Sequence, residues 1–597
     1  MNIHAFLHIP DSNYCYAYDT STLHIRLRTA KNDAKSVTLR YGDPYQWQQG
    51  GGGGNLNADG AYGWVNYDTE MKKEATTDHF DYWIVAINPE FRRARYGFII
   101  KNNETEIFYG EGGIFDIESN ALNQLLNYFN LPFLNAADVF KAPSWVKDTI
   151  WYQIFPERFA NGNPLNDPAG VKNWGDNSVL TWESFYGGDI DGITKNLDYL
   201  SDLGITGIYL NPIFKSPSTH KYDTADYYEI DPSFGTKDIF KNFVDLAHQR
   251  GIKIMLDLVV NHCGYNFAPW QDVLQHEENS IYKDWFHIRE FPVATLADNQ
   301  AINYDAFAFV KKMPKMKTEN PEVSNFFLDV ARYWTKNFNI DGWRLDVSNE
   351  VDHAFWREFR KEVRKINPEC YILGEIWHDS NPWLKGDQFD AVMNYPLTNA
   401  ILDYIAKDKS SASKFVSEYT KVQVMYSQNV HEVSFNLLGS HDTARVLTIA
   451  SDNKKRLLLA YQFMFTLSGS PCIYYGDEIG MDGGDDPGCR KCMIWDEQKQ
   501  DLTILEAFKQ MIKLRKDEPA LRSTKLNWLQ IDDEKNVLVY EKRHVGESVI
   551  VILNNSGVVQ TVELPINEPK IYENLITKNS HPAKTIELQP FELILLK

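Results

Sequence analysis

The sequence predicts an α/β chain built on a (β/α)8 TIM barrel. A subdomain is inserted after barrel strand 3, an N-terminal β-sandwich precedes the barrel, and a C-terminal antiparallel β-domain follows it. Three observations predict this. Eight strand-like runs alternate with helical ones from about residue 145 to 515. Period-2 runs with Gly, Asn and Asp turns occupy the first 120 or so residues and return near the end. The 597 residues exceed one ordinary core, because domains usually hold about 50–250 residues.

Taken in order, LHIRLRTA (23–30), SVTLRYG (36–42), FDYWIVAI (80–87) and YGFIIKNN (96–103) alternate as sandwich strands do. The five glycines Gly50–Gly54 suit neither strand nor helix and are expected to form a mobile loop. The barrel strands are expected in 149–159, 205–214, 252–260, 340–347, 371–377, 390–396, 431–442 and 471–480. IKIMLDLVV (252–260) is almost continuously apolar, as a parallel strand buried on both faces should be. Ile193, Leu197 and Leu200 share one helical face, and Gly204 ends it; Phe240, Phe243, Val244 and Ala247 mark the next helix. Segment 263–318 is too long for a plain loop. The expected domains are therefore 1–135 (sandwich), 136–262 with 319–517 (barrel), 263–318 (insert) and 518–597 (C-terminal β-domain).

Composition narrows the partners. With 81 acidic against 61 basic residues and a formal net charge of −20, the chain is not expected to bind nucleic acid. No apolar run is long enough to cross a membrane, and the N-terminus does not resemble a secretory signal, so a cytoplasmic location is expected. The six cysteines show no disulfide framework, and Cys489-Arg-Lys-Cys492 is expected to be two incidental thiols. Of the many aromatic residues, most are expected in cores and some on flat sugar faces.

Barrel enzymes carry their chemistry at the C-terminal ends of strands. Here those ends read Asp257…Asn261-His262, Arg344-Leu-Asp346, Glu375 and His441-Asp442. Each alone is as well explained by a salt bridge or a helix cap; together on one rim they suit glycosidic bond cleavage, which needs two carboxylates in different protonation states. Asp346 is the candidate nucleophile, with Arg344 two residues earlier to keep it ionised. Glu375 is the candidate acid/base, because its apolar neighbours suit a carboxyl that must carry a proton. Asp442 is the candidate stabiliser of the cationic transition state or a grip on sugar hydroxyls.

DLVVNH (257–262), GWRLDVSNE (342–350), GEIW (374–377) and LLGSHD (437–442) resemble the four sequence blocks of the α-amylase family, glycoside hydrolase family 13. HKYDTADY (220–227), MPKMKTENPEV (313–323) and VSNEVDHAFWREFR (347–360) are similar to its cyclomaltodextrinase, neopullulanase and maltogenic amylase subgroup. The resemblance implies a retaining hydrolase of α-1,4-glucosidic bonds in cyclodextrins, maltodextrins and pullulan, active as a homodimer whose N-domain covers the partner's site. It implies that Asp346 is nucleophile, Glu375 acid/base and Asp442 stabiliser. His262, Arg344 and His441 would hold the cleaved sugar, and Tyr222 would stack beneath it. Phe307, Trp377 and Tyr395 would line neighbouring subsites, and Asp486 and Arg490 would make a further substrate contact. It also implies a Ca2+ site at Asn161, Asn163, Asn166, Asp167, Gly187 and Asp189, although Asn163 stands where Asp is common. Two alternatives remain: a transglycosylase with the same chemistry, and a non-catalytic glucan-binding protein.

Overall fold

The barrel strands are β1 (Trp151–Ile154), β2 (Gly207–Leu210), β3 (Lys253–Leu258), β4 (Gly342–Leu345), β5 (Tyr371–Gly374), β6 (Ala391–Val392), β7 (Phe435–Asn436) and β8 (Ser470–Tyr474). They pair in parallel in the order β6-β5-β4-β3-β2-β1-β8-β7, and a parallel bridge between Met393 and Phe435 closes the ring. Seven of the expected strand segments contain one of them, and β8 begins one residue before the eighth, at Ser470. β1, β2, β4, β5 and β8 are buried along their whole length, which is why they read as mostly apolar runs, broken by Gln153 in β1, Arg344 in β4 and Ser470 in β8. The computed structural model describes residues 1–49, 62–176, 180–298, 301–564, 571–582 and 584–597. The loop expected at Gly50–Gly54 lies outside the described residues.

Helices cover the barrel by burying one stripe each. In Lys237–Gln249 the stripe is Phe240, Phe243, Val244 and Ala247, and the Thr236 hydroxyl caps the first turn by accepting from Ile239 N at 3.3 Å. The single helix expected around Ile193–Leu203 is instead two, Ile190–Lys195 and Leu197–Leu203. They meet at Asn196, whose backbone leaves the helical region and whose amide donates to Gly192 O at 2.8 Å. Gly204 ends the second helix at φ 96°, a left-handed cap that favours glycine.

The insert after β3 has its own aromatic centre, Trp270 against Phe286 and Tyr304 at 4.8 and 4.6 Å. The C-terminal sheet runs Leu526–Asp532, Val537–His544, Glu547–Asn554 and Glu592–Leu596, all antiparallel, over a core of Val537, Val539, Ile550, Ile552 and Ile594. Both belong to the unit formed by Ala142–Ala412 and Glu432–Lys597.

The other unit is Met1–Lys141 together with Ser413–His431. Two antiparallel sheets face each other across Leu23, Ile25, Leu27, Val37, Leu39, Phe98 and Ile100, the inward residues of a period-2 pattern. Segment Ser413–His431 was expected within the barrel. It is bound into this unit by Ser417 Oγ accepting from Asp78 N at 3.0 Å and by Val424 O accepting from Asn13 Nδ2 at 2.8 Å. Sequence spacing carries no trace of such long-range bonds.

Candidate active site

A cavity of about 990 Å3 opens at the C-terminal ends of the barrel strands. Asp346, Glu375, Asp442, Tyr222, His262, Phe307, Trp377, His441, Asp486 and Arg490 all border it. Residues from seven sequence segments, as far apart as 222 and 490, therefore converge. Arg344 and Tyr395 do not border it and act from behind.

Arg344 is fully buried at the end of β4 and organises the floor. Its Nη1 donates to both Asp257 oxygens at 3.0 Å and to Asp346 Oδ1 at 2.7 Å. Its Nη2 lies 2.9 Å from Glu375 Oε2, an ion pair whose N–H is not aligned for a hydrogen bond. One cation is thus divided among three carboxylates. The sequence suggested that Arg344 would hold Asp346 ionised; instead burial pushes Asp346 well above the usual carboxylate range, Glu375 and Asp257 add to the push, and Arg344 only partly opposes it.

Glu375 is not in the apolar surroundings its sequence neighbours suggest. Val347 N donates to its Oε2 at 3.0 Å and Trp377 Nε1 to its Oε1 at 3.1 Å. Ile372 and Ile376 are buried, so the glutamate head meets donors instead. Val347 makes its bond from φ 44°, a strained setting for a β-branched residue.

Tyr222 is presented by Lys221, which sits at φ 64° and pairs through Nζ with Asp231 at 2.9 Å. Its hydroxyl accepts from Asn211 Nδ2 (2.9 Å), donates to Asp257 Oδ2 (2.9 Å) and lies 2.7 Å from His441 Nε2. Gln153 Nε2 donates to His441 Nδ1 at 2.8 Å, which puts the imidazole proton on Nε2. Burial, with Arg490 and Arg344 nearby, keeps His441 neutral by lowering it far below its ordinary value. His262 is also neutral, lowered to about 3 by burial and then by Lys315. Its ring stacks on Phe307 at 4.8 Å, and its Nε2 is buried without a partner, ready for a ligand hydroxyl.

Asp442 lies half-buried, 3.3 Å from both His441 Nε2 and Arg490 Nη2. Burial, then the charge of Glu375, raises it to about 7. Arg490 Nε donates to His441 O at 2.8 Å and lies 3.0 Å from Asp486 Oδ1. Trp377 stacks on Tyr395 at 3.6 Å, nearly parallel. Trp377 is 45% exposed and Tyr395 only 2%, so Tyr395 supports the indole and offers no surface of its own to the cavity.

Asn161 Nδ2 donates to Asp167 Oδ1 at 2.8 Å, and the Oδ1 atoms of Asn161 and Asn166 are buried without partners. A side chain at Gly187 would strike Asp167 and Asn161, so these groups converge on one cradle. Uncharged oxygens beside one carboxylate fit a hard cation such as Ca2+. Asn163 and Asp189 are used differently: Asn163 Oδ1 accepts from Leu165 N at 3.3 Å, and Asp189 accepts from Gly162, Asn163 and Gly192 N at 3.0, 2.8 and 2.6 Å.

The sequence reading sets Asp257 on the rim without a role of its own and gives none to Asn211, Gln153, Lys221 or Val347; the polar Gln153 inside the mostly apolar β1 is a further signal.

Comparison with known proteins agrees with this geometry. Residues 153–524 match the family described as alpha amylase, catalytic domain, and residues 1–135 match alpha amylase, N-terminal ig-like domain. The chain is 50% identical over 600 residues to a protein named cyclomaltodextrinase from Geobacillus thermopakistaniensis (strain MAS1), covering 100% of this chain and 99% of that one. It is 45% identical over 602 residues to one named intracellular maltogenic amylase from Bacillus subtilis, with 100% and 99% covered. A solved structure named cyclomaltodextrinase superposes with a TM-score of 0.91 at 42% identity, with 100% of each chain covered. The chain therefore belongs to the α-amylase family, glycoside hydrolase family 13, in the subgroup of cyclomaltodextrinases, neopullulanases and maltogenic amylases, and is an α-glucan hydrolase.

Proposed function

We propose that the protein cleaves α-1,4-glucosidic bonds with retention of configuration, taking cyclodextrins and short maltodextrins, and pullulan as a further substrate. The observation that carries this reading is the Arg344 guanidinium, which touches Asp346 through Nη1 and Glu375 through Nη2. Sharing one cation keeps the two carboxyl groups close, as a retaining pair at about 5–5.5 Å requires. Asp346 receives the aligned hydrogen bond from Arg344, as an attacking carboxylate requires, and Glu375 is the second carboxyl that the same guanidinium holds beside it.

The sugar to be cleaved rests against Tyr222, with His262 and His441 beside it, while Arg344 acts from behind through Asp346 and Glu375. Asp346 Oδ attacks the anomeric carbon as the bond to the leaving oxygen breaks, and Glu375 gives that oxygen its proton. Glu375 then takes a proton from water, the resulting hydroxide attacks the anomeric carbon, and Asp346 leaves as carboxylate. Asp442, ionised, faces the positive charge that develops on the ring.

Ca2+ is proposed at Asn161, Asn166, Asp167 and Gly187, where it would tie the loop after β1 to the start of the next helix; its contribution is structural. Homodimer assembly is proposed from the subgroup resemblance, and sedimentation velocity tests it. An intracellular location is proposed because the Bacillus subtilis relative is named intracellular.

Initial rates on γ-cyclodextrin, pullulan and soluble starch, with products resolved by chromatography, test the substrate assignment. Preference for the cyclic substrate, giving maltose and glucose, is expected. Preference for starch with long products would overturn it. Repeating the assay with added glucose measures how far a sugar hydroxyl replaces water.

A further inference from the structure

Among the described large apolar side chains that border the cavity, Trp182 is the most open, with 54% of its surface exposed. Exposed indole is ordinarily costly to leave in water and free to move. Here it is fixed. Its Nε1 donates to Asp486 Oδ2 at 3.2 Å, and its carbonyl accepts from Thr219 Oγ1 at 2.7 Å. The polar edge and the main chain are held while a flat face stays uncovered.

Trp377 is anchored in the same manner, by Nε1 on Glu375 and by stacking on Tyr395. The two tryptophans serve different sides of the scissile bond. Trp377 is bonded to the group that protonates the leaving oxygen, so it belongs to the leaving-group side. Trp182 is joined through Asp486 and Arg490 to Asp442 by contacts at 3.2, 3.0 and 3.3 Å, none of which involves Glu375 or Trp377. A platform tied to Asp442, the group that faces the donor ring, and not to the leaving-group acid fits the side of the glycosyl donor, the sugar whose anomeric carbon is attacked.

We infer that Trp182 stacks on a glucose ring of the bound α-glucan on the glycosyl-donor side, beyond the ring being cleaved, and sets how many sugars occupy that side. The ligand it recognises is the apolar C–H face of a pyranose. The inference rests on the assignment of Asp346 and Glu375 made above. Losing one such contact, about 0.5–1.5 kcal/mol, is a change of about 2- to 12-fold in binding.

The test uses reducing-end-labelled maltopentaose and compares bond-cleavage frequencies for the parent enzyme, Trp182→Ala and Trp182→Phe. With no platform to fill, Trp182→Ala should cut nearer the non-reducing end, so the labelled products lengthen, and KM should rise about 2- to 12-fold. Trp182→Phe keeps a flat face but loses the bond to Asp486, and should cut as the parent does. An unchanged pattern in Trp182→Ala, or a shift toward the reducing end, would overturn the inference. So would equal shifts in both variants, which would mean that Trp182 acts only by holding Asp486. The underlying assignment fails separately, through a parent enzyme that leaves maltopentaose uncut or an Asp346→Asn variant that remains active.

Discussion

The backbone N–H of Val347 donates to Glu375 Oε2 at 3.0 Å, so the residue that follows the proposed nucleophile holds the proposed acid/base. Left-handed backbone at a non-glycine residue costs about 1–3 kcal/mol, and such strain persists where surrounding structure enforces it. Asp346, Val347 and Glu375 thus form one rigid assembly. Glu375→Gln keeps the acceptor for Val347 but cannot shuttle a proton. Its kcat should fall about 10²- to 10⁴-fold, with the melting temperature nearly unchanged, as paired kinetics and calorimetry would show. A variant within threefold of the parent rate would remove Glu375 from its role.

Tyr222→Phe isolates the hydroxyl from the ring. The ring still underlies the sugar, but Asp257, His441 and Asn211 lose their common partner. Leaving buried polar groups short of partners costs about 1–3 kcal/mol. Chemical denaturation should register a stability loss of that size, and kcat/KM should drop about 10- to 100-fold. If stability falls while kcat/KM holds, the network serves folding alone.

Asp442 illustrates a carboxylate set against stability. Its folded value of about 7 exceeds its ordinary 3.8, so between these limits the folded protein binds more protons than the unfolded chain. The stability it contributes is fully present below about pH 4 and is lost as pH rises through 7. Asp442→Asn cannot ionise. It should be close to inactive, and its melting-temperature gain over the parent should be larger at pH 8 than at pH 4.5. A gain independent of pH would contradict the shift and its cause.

Calcium should raise the melting temperature of the parent, and a chelator should lower it. Asp167→Asn removes the carboxylate of the cradle and should abolish the response to calcium while leaving kcat within about twofold. A stabilisation that survives Asp167→Asn would place the ion elsewhere.

Much of this was legible from residues alone. Parallel strands buried on both faces are mostly apolar, so β1 to β8 announced themselves, and polar residues in or at the ends of them stood out as functional or capping. The resemblance of the four blocks added the roles. What stayed hidden depends on contacts that spacing does not encode. Arg344 follows a pattern that promises one partner, yet it serves three. Tyr395 stands beside a strand end like its neighbours but turns beneath Trp377. Asn163 and Asp189 carry the right atoms for a cation and spend them on backbone N–H groups. Ser413–His431 lies between β6 and β7 in the chain, yet it is bonded into the N-terminal unit by Asp78 and Asn13.

The most direct test of the central claim is to trap the intermediate. Rapid quenching in acid during turnover of a slow glucosyl fluoride substrate, followed by peptide mass spectrometry, should find a glycosyl adduct on the peptide that contains Asp346, and proton NMR should find α-configured sugar as the first product. An adduct on Glu375 or Asp442, or β-configured sugar released first, would contradict the account.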